Sequence, residues 1–145
     1  MKFLNQTGFS LIEILITIAI VGIIASFGVL VGFGLYTSSS FNAESALLVG
    51  ILQKARSQSL NNINQVQHGV HIEASKFILF QGSTFNSTDP KNIDFEANTR
   101  ISHSGISDVV FSQLSGDASP TGIITFSGLN RTATITINSE GGISW

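Results

Sequence analysis

The chain starts with a long apolar run and ends in short alternating ones. From residue 14 to residue 35 no side chain carries a formal charge, and only Thr17 and Ser26 bear a hydroxyl before the aromatic end of the run at Tyr36. Coiled as a helix at ~1.5 Å per residue, this run reaches roughly 33 Å, against about 30 Å for a hydrocarbon core. It predicts a membrane-spanning helix over residues 9–36. Lys2 precedes the run and no further Lys or Arg follows until Lys54. That one-sided charge puts the N-terminus on the cytoplasmic side and residues 37–145 outside.

Past the polar residues 37–40 a helical repeat resumes. Phe41, Leu48, Leu52 and Ala55 share one stripe, Leu47 and Ile51 widen it, and Glu44 and Ser45 leave a polar gap in it. Gln53, Lys54, Arg56 and Gln58 suit the exposed side, and the pattern fades at Asn61-Asn62. The spacing predicts one nearly continuous helix from about residue 9 to residue 60, with residues 37–64 as its amphipathic continuation.

After residue 64 the period falls to two. Runs at 66–73, 76–81, 92–95, 99–102, 108–111, 121–127, 131–138 and 142–145 predict strands, the cleanest being Thr132-Ala133-Thr134-Ile135-Thr136-Ile137. Residues 127–130 and 139–142 carry the turn chemistry of hairpins, so the last three runs form an antiparallel meander. Residues 82–92, with a turn at Asp89-Pro90, and residues 115–120 are polar loops. The expected fold is α+β. A long N-terminal helix, membrane-spanning in its first half, packs by its second half against a small antiparallel β-sheet head at residues 65–145. Two adjacent sheets remain open, and strand order is not legible.

Composition narrows the function. Charged residues make up 11% of the chain and the net charge is -2, with no Lys/Arg cluster to neutralise phosphates, so no direct nucleic-acid binding is expected. There is no cysteine, which excludes disulfides, thiolate catalysis and cysteine metal sites. His68 and His71 lie three apart on a predicted strand and point to opposite faces, while His103 falls beside Ser102, Ser104 and Gly105 in a predicted loop. No metal site follows from them. Asp94 and Glu96 share a strand face without a partner motif, and no nucleophile elbow or phosphate-binding glycine loop occurs. The expectation is a chain that is not an enzyme and takes no cofactor. The sequons at Asn86 and Asn130 read as loop and turn residues, and Trp145 as a cover for a sheet edge or the core.

The stretch Gly8-Phe9-Ser10-Leu11-Ile12-Glu13, followed by the apolar run, resembles the prepilin cleavage and methylation motif of type IV pilins and of the pseudopilins of type II secretion and DNA-uptake machines. The resemblance implies a leader at residues 1–8, cut by a prepilin peptidase between Gly8 and Phe9, with the new amine of Phe9 methylated by the same enzyme. It implies that Glu13 guides assembly by reaching the Phe9 amine of a neighbouring subunit. An ionised carboxylate at the centre of a membrane helix costs about 2.5–3.5 kcal/mol, so Glu13 needs a partner. Within one processed chain the Phe9 amine, four positions away on the same face, can serve; a headgroup-level position for Glu13 is the alternative. Gly28 and Gly32 form a small-xxx-small pair, and no proline precedes Pro90.

Two further pieces, Lys54-Ala55-Arg56-Ser57-Gln58-Ser59-Leu60 and Ile123-Ile124-Thr125-Phe126-Ser127-Gly128 with the following strand and Gly141-Gly142-Ile143, resemble the GspH/FimT-like minor pseudopilins. The implied function is a structural, minor subunit of a type IV pilus or type II secretion-like pseudopilus. Its implied partners are the prepilin peptidase, other pilin or pseudopilin subunits, an inner-membrane assembly platform and the lipid bilayer. The implied location is the cytoplasmic membrane as a single-pass protein, then a periplasmic or extracellular filament. The competing reading is a single-span, membrane-anchored extracytoplasmic binding or sensor protein that keeps residues 1–8.

Overall fold

The computed structural model describes residues 8–128 and 130–145, and of residues 27–38 it describes the backbone only. Residues 1–7 of the expected leader 1–8, with Lys2, the glycine pair Gly28 and Gly32, and Leu129 in the 127–130 connection lie outside the described residues or side chains. The chain divides into two compact units, Met1–Ser38 and Ser39–Trp145.

Helix α1 runs Leu11–Leu60. The three serines at 38–40 do not break it, and a hydroxyl on a helix face can bond back to the preceding turn. Ser26 does this further up, donating to the Gly22 carbonyl at 2.8 Å. The helix ends where Asn62 and Asn64 take left-handed backbone angles, φ 53° and 54°, in a short 3-10 turn at Ile63–Gln65. Asparagine tolerates that region better than other non-glycine residues.

Among the described residues nine strands follow: β1 His68–Ile72, β2 Lys76–Gln81, β3 Ile93–Glu96, β4 Ser102–Gly105, β5 Asp108–Phe111, β6 Ala118–Ser119, β7 Gly122–Gly128, β8 Arg131–Ile137 and β9 Ile143–Ser144. They build two antiparallel sheets, of order β3-β2-β1-β5-β6 and β4-β7-β8-β9. The second contains the expected meander, with Ile124 opposite Ile135 and Ile137 opposite Ile143. In β8 the buried residues Ile135 and Ile137 alternate with exposed threonines, as a half-buried strand requires. Strand β2 is buried on both faces. Phe77 and Leu79 enter the main core, while Phe80 lies on the other face against Phe85 of the 82–92 loop. Gly69 makes that possible, since a side chain there would run into the Phe80 ring and sit 2.7 Å from the Val109 carbonyl oxygen.

Within Ser39–Trp145 one core joins three layers. Phe41, Leu48, Leu52 and Ala55 of α1 cluster with Val70, Phe77, Leu79, Val109 and Phe111 of the first sheet and Ile124, Phe126, Ile135 and Ile137 of the second. Ser59 fastens the end of the helix: its Oγ donates to the Phe111 carbonyl and accepts from the His68 N–H, both at 2.9 Å, and its carbonyl accepts from Leu114 N–H at 3.0 Å.

Three expectations are corrected here. The head holds two sheets, the arrangement left open above; within them residues 118–119, expected in a loop, close the edge of the first sheet, and the expected strand at 99–102 starts instead at Ser102 and belongs to the second. The membrane-spanning first half is not carried by the structure: among the described residues, no helix is long and apolar enough to cross a membrane. With the transmembrane helix go the lipid bilayer as partner and the single-pass location in the cytoplasmic membrane.

Candidate processing site at the start of the helix

Gly8, Phe9 and Ser10 precede α1 and are not helical. The helix begins at Leu11 because Ser10 and Glu13 cap it reciprocally. Glu13 N–H donates to Ser10 Oγ at 3.3 Å, and Glu13 Oε2 accepts from the Ser10 N–H at 3.1 Å and from Ser10 Oγ at 3.3 Å. This is a capping box, in which a serine at the N-cap and a glutamate three residues on satisfy each other's orphan donors. The carboxylate also sits in the first turn, where the helix dipole favours negative charge. The spacing Ser-x-x-Glu is a helix-start signal in the sequence, and the prepilin motif residues Gly8, Phe9 and Glu13 do not include Ser10, which the structure adds to the site.

The arrangement leaves the Gly8–Phe9 peptide in non-helical chain, two residues ahead of a pinned helix. Phe9 is 83% exposed and Leu11 82%. A Cβ built on Gly8 meets nothing within 4 Å. Among the described residues, then, no local packing requires glycine at position 8. From Ile12 to Ile24 the large apolar side chains are also exposed, including Ile14, Leu15, Ile18, Val21 and Ile23. A non-helical peptide bond beside an exposed Phe9, ahead of a capped helix start, suits attack by a second protein.

Residues 4–29 match the prokaryotic N-terminal methylation motif. The chain carries a prepilin-type N-terminal processing and methylation motif. The motif is typical of type IV pilins and pseudopilins. No curated protein and no solved structure matches the chain. The structure places all three motif residues, Gly8, Phe9 and Glu13, together at this helix start.

Away from the motif the structure brings together groups that the sequence kept apart. Glu44, the polar gap in the helical stripe, is 6% exposed, and its Oε1 accepts from the Asn98 N–H at 3.0 Å. His103 is not in a loop but on β4. Its side chain is 3% exposed, its Nε2 is 3.5 Å from Glu44 Oε1, and its ring meets Phe77 and Phe126 edge-on at 5.0 Å. His68 is fully buried. His71 lies on the opposite face of β1, with Nδ1 2.7 Å from Asp108 Oδ1 and Nε2 3.5 Å from Glu73 Oε1. Because its second nitrogen faces a carboxylate and not a hydroxyl, this pair is not arranged to activate a serine. Among the described residues no group of three or more His, Asp or Glu is placed to hold a metal ion.

Burial holds both His68 and His103 below the ordinary histidine value of 6.5, with Glu44 pulling His103 part of the way back. Above about pH 6.5 both folded and unfolded chains carry neutral rings, and the contribution to stability is fully present. As pH falls below that value the unfolded chain binds protons first, and stability is lost until the folded-state values are passed. Denaturation midpoints should therefore drop between about pH 7.5 and pH 5.5. The combined substitution of His68→Phe and His103→Phe should flatten that slope; an unchanged slope in the double variant would show that other groups set it.

Proposed function

We propose that the chain is a structural, minor subunit of a type IV pilus or type II secretion-like pseudopilus, and not an enzyme. A prepilin peptidase cuts between Gly8 and Phe9 and methylates the Phe9 amine. The subunit then assembles through its N-terminal helix with other pilin or pseudopilin subunits on an assembly platform. The observation that carries this reading is the processing motif at an exposed helix start. The minor-subunit preference rests on the GspH/FimT-like pieces at residues 54–60 and 123–128.

Energetics support assembly. Each large aliphatic side chain removed from water contributes about 1.5–3 kcal/mol. The exposed Ile, Leu and Val residues between Leu11 and Ile24 are less than half covered, which leaves on the order of 10 kcal/mol to be gained by packing them against like helices. The role proposed for Glu13 is to meet the Phe9 amine of the next subunit as that packing forms. In the isolated chain both capping contacts use Oε2.

Mass spectrometry of the mature N-terminus, in cells with and without the peptidase, tests the processing step. Loss of residues 1–8 and a methylated Phe9 should appear only with the peptidase. An intact Met1 or Lys2 terminus in competent cells would overturn the reading. Glu13 needs a finer comparison, since it is both cap and charge. Glu13→Gln keeps the capping acceptor and removes the charge. Both Glu13→Gln and Glu13→Ala should be cut normally yet enter filaments at least about tenfold less, the ~1.4 kcal/mol of one charged contact. Restoration of assembly by glutamine would reassign Glu13 to capping alone.

A further inference from the structure

The outer face of the first sheet holds a groove of about 670 Å³ between the 82–85 loop and the β6 edge. That size lies within the range of small-molecule sites. Its apolar surface comes from Phe80, Phe85, Val110 and Pro120, and its polar rim from Gln67, Ser83, Thr84, Ser112 and Ser119. The two ionisable groups on its wall, His71 and Asp108, are bonded to each other, and the second oxygen of Asp108 accepts from Ser107 Oγ at 2.9 Å.

The wall is built in advance. Phe85 stacks on the His71 ring with centroids 3.9 Å apart and planes 8° from parallel, and it meets Phe80 edge-on at 5.6 Å. Gly82 N–H donates to the Gln67 carbonyl at 2.8 Å, tying the loop to the start of β1. A preformed wall loses little entropy when a ligand arrives.

The lining selects among ligand classes. An anion finds no unpaired cation: the histidine already faces Asp108 and Glu73. A purely apolar ligand would strip water from hydroxyls and an amide without replacing their hydrogen bonds. An extended peptide needs a free strand edge, and the edge here is taken by β6, which pairs with Val110 and Phe111 and is followed by Pro120. What remains is a neutral ligand with many hydroxyls and one apolar face. Ring C–H faces would lie on the aromatic and aliphatic floor, and hydroxyls would reach the serine, threonine and glutamine rim and the free lone pairs of Asp108. We propose that this groove is a binding site for neutral saccharides. The proposal is independent of filament assembly, because every group it uses lies in the Ser39–Trp145 unit.

Isotope-labelled full chain, unassembled, should be titrated by NMR with a panel of cellobiose, maltose, lactose and N,N'-diacetylchitobiose, with inorganic phosphate and an acidic peptide as controls. At least one disaccharide should saturate, with shifts centred on Gln67, Thr84 and Ser112. Thr84→Trp places bulk in the groove from an exposed loop position, and Phe85→Ala removes the stacked wall; each should weaken binding at least about tenfold. Failure of all four sugars to bind, shifts centred elsewhere, unchanged affinity in Thr84→Trp, or preferential binding of phosphate or peptide would each overturn the proposal. Because the measurement uses unassembled chain, its failure leaves the filament reading untouched.

Discussion

Replacing Gly8 with leucine is expected to leave residues 1–8 attached to nearly every molecule while changing the fold very little. The two halves of that expectation have separate grounds. A side chain at position 8 meets nothing within 4 Å in the described chain, and the residue stands ahead of the helix. Substitutions at such surface positions move stability by less than about 0.5 kcal/mol. The helix start is held two residues further on by Ser10 and Glu13, so a bulkier residue 8 does not disturb it. Packing among the described residues therefore does not explain the glycine, and under the proposed function its smallness serves the peptidase. A peptidase pocket shaped for a bare backbone loses contact geometry when a branched side chain intrudes, and misplacement by about 1 Å costs on the order of 100-fold in rate. The processed fraction should fall by at least that factor, with Gly8→Ala between leucine and wild type. Pulse-labelling followed by N-terminal mass analysis reads it directly. Normal processing of Gly8→Leu would show that residue 8 is not what the peptidase reads.

Much of this architecture was legible because its signals are local. The helix from Leu11 to Leu60 follows a continuous apolar run and then a stripe of apolar residues at helical spacing from Phe41 to Ala55, and β8 follows strict alternation between turn residues. What failed depended on tertiary neighbours. Residues 118–119 join a sheet by pairing only with Val110 and Phe111, too short a strand to show a period. His103 has serines and a glycine around it in sequence and so reads as loop, yet β4 turns its ring between Phe77 and Phe126. Glu44 interrupts an apolar stripe, and the gap has a use that only the fold reveals: the carboxylate satisfies the Asn98 N–H inside the core. At the candidate processing site the motif itself is legible in the sequence, and the cap that sets the start of the helix is spelled by Ser10 and Glu13. The membrane span was overcalled, because an apolar run reports that side chains avoid water without reporting what covers them.

Gly105→Ala should be among the most damaging single-methyl changes in the head. Gly105 has φ 110°, a backbone conformation that side-chain-bearing residues rarely adopt, and a Cβ there would run into the Ile123 carbonyl oxygen and sit 3.0 Å from its carbon. The obstacle is backbone, so no rotamer change relieves it. Backbone strain of this kind costs about 1–3 kcal/mol, and the clash adds to it. Relief requires β4 to move away from β7, where Gly105 is paired with Ile124 and His103 with Phe126. That movement would withdraw the His103 ring from Phe77 and Phe126 and leave Glu44 without its histidine neighbour. The expected loss is at least about 3 kcal/mol, at the severe end for one substitution. Urea denaturation should show it as a lowered midpoint, and the His103 ring resonances should move as the two phenylalanines leave. Gly50→Ala provides the comparison within α1, where a Cβ meets nothing within 4 Å. Alanine there should stabilise by roughly 0.5–1 kcal/mol through helix propensity. Equal and small effects at the two glycines would mean that β4 yields easily, and that the buried Glu44–His103 contact does little to hold the second sheet on the helix.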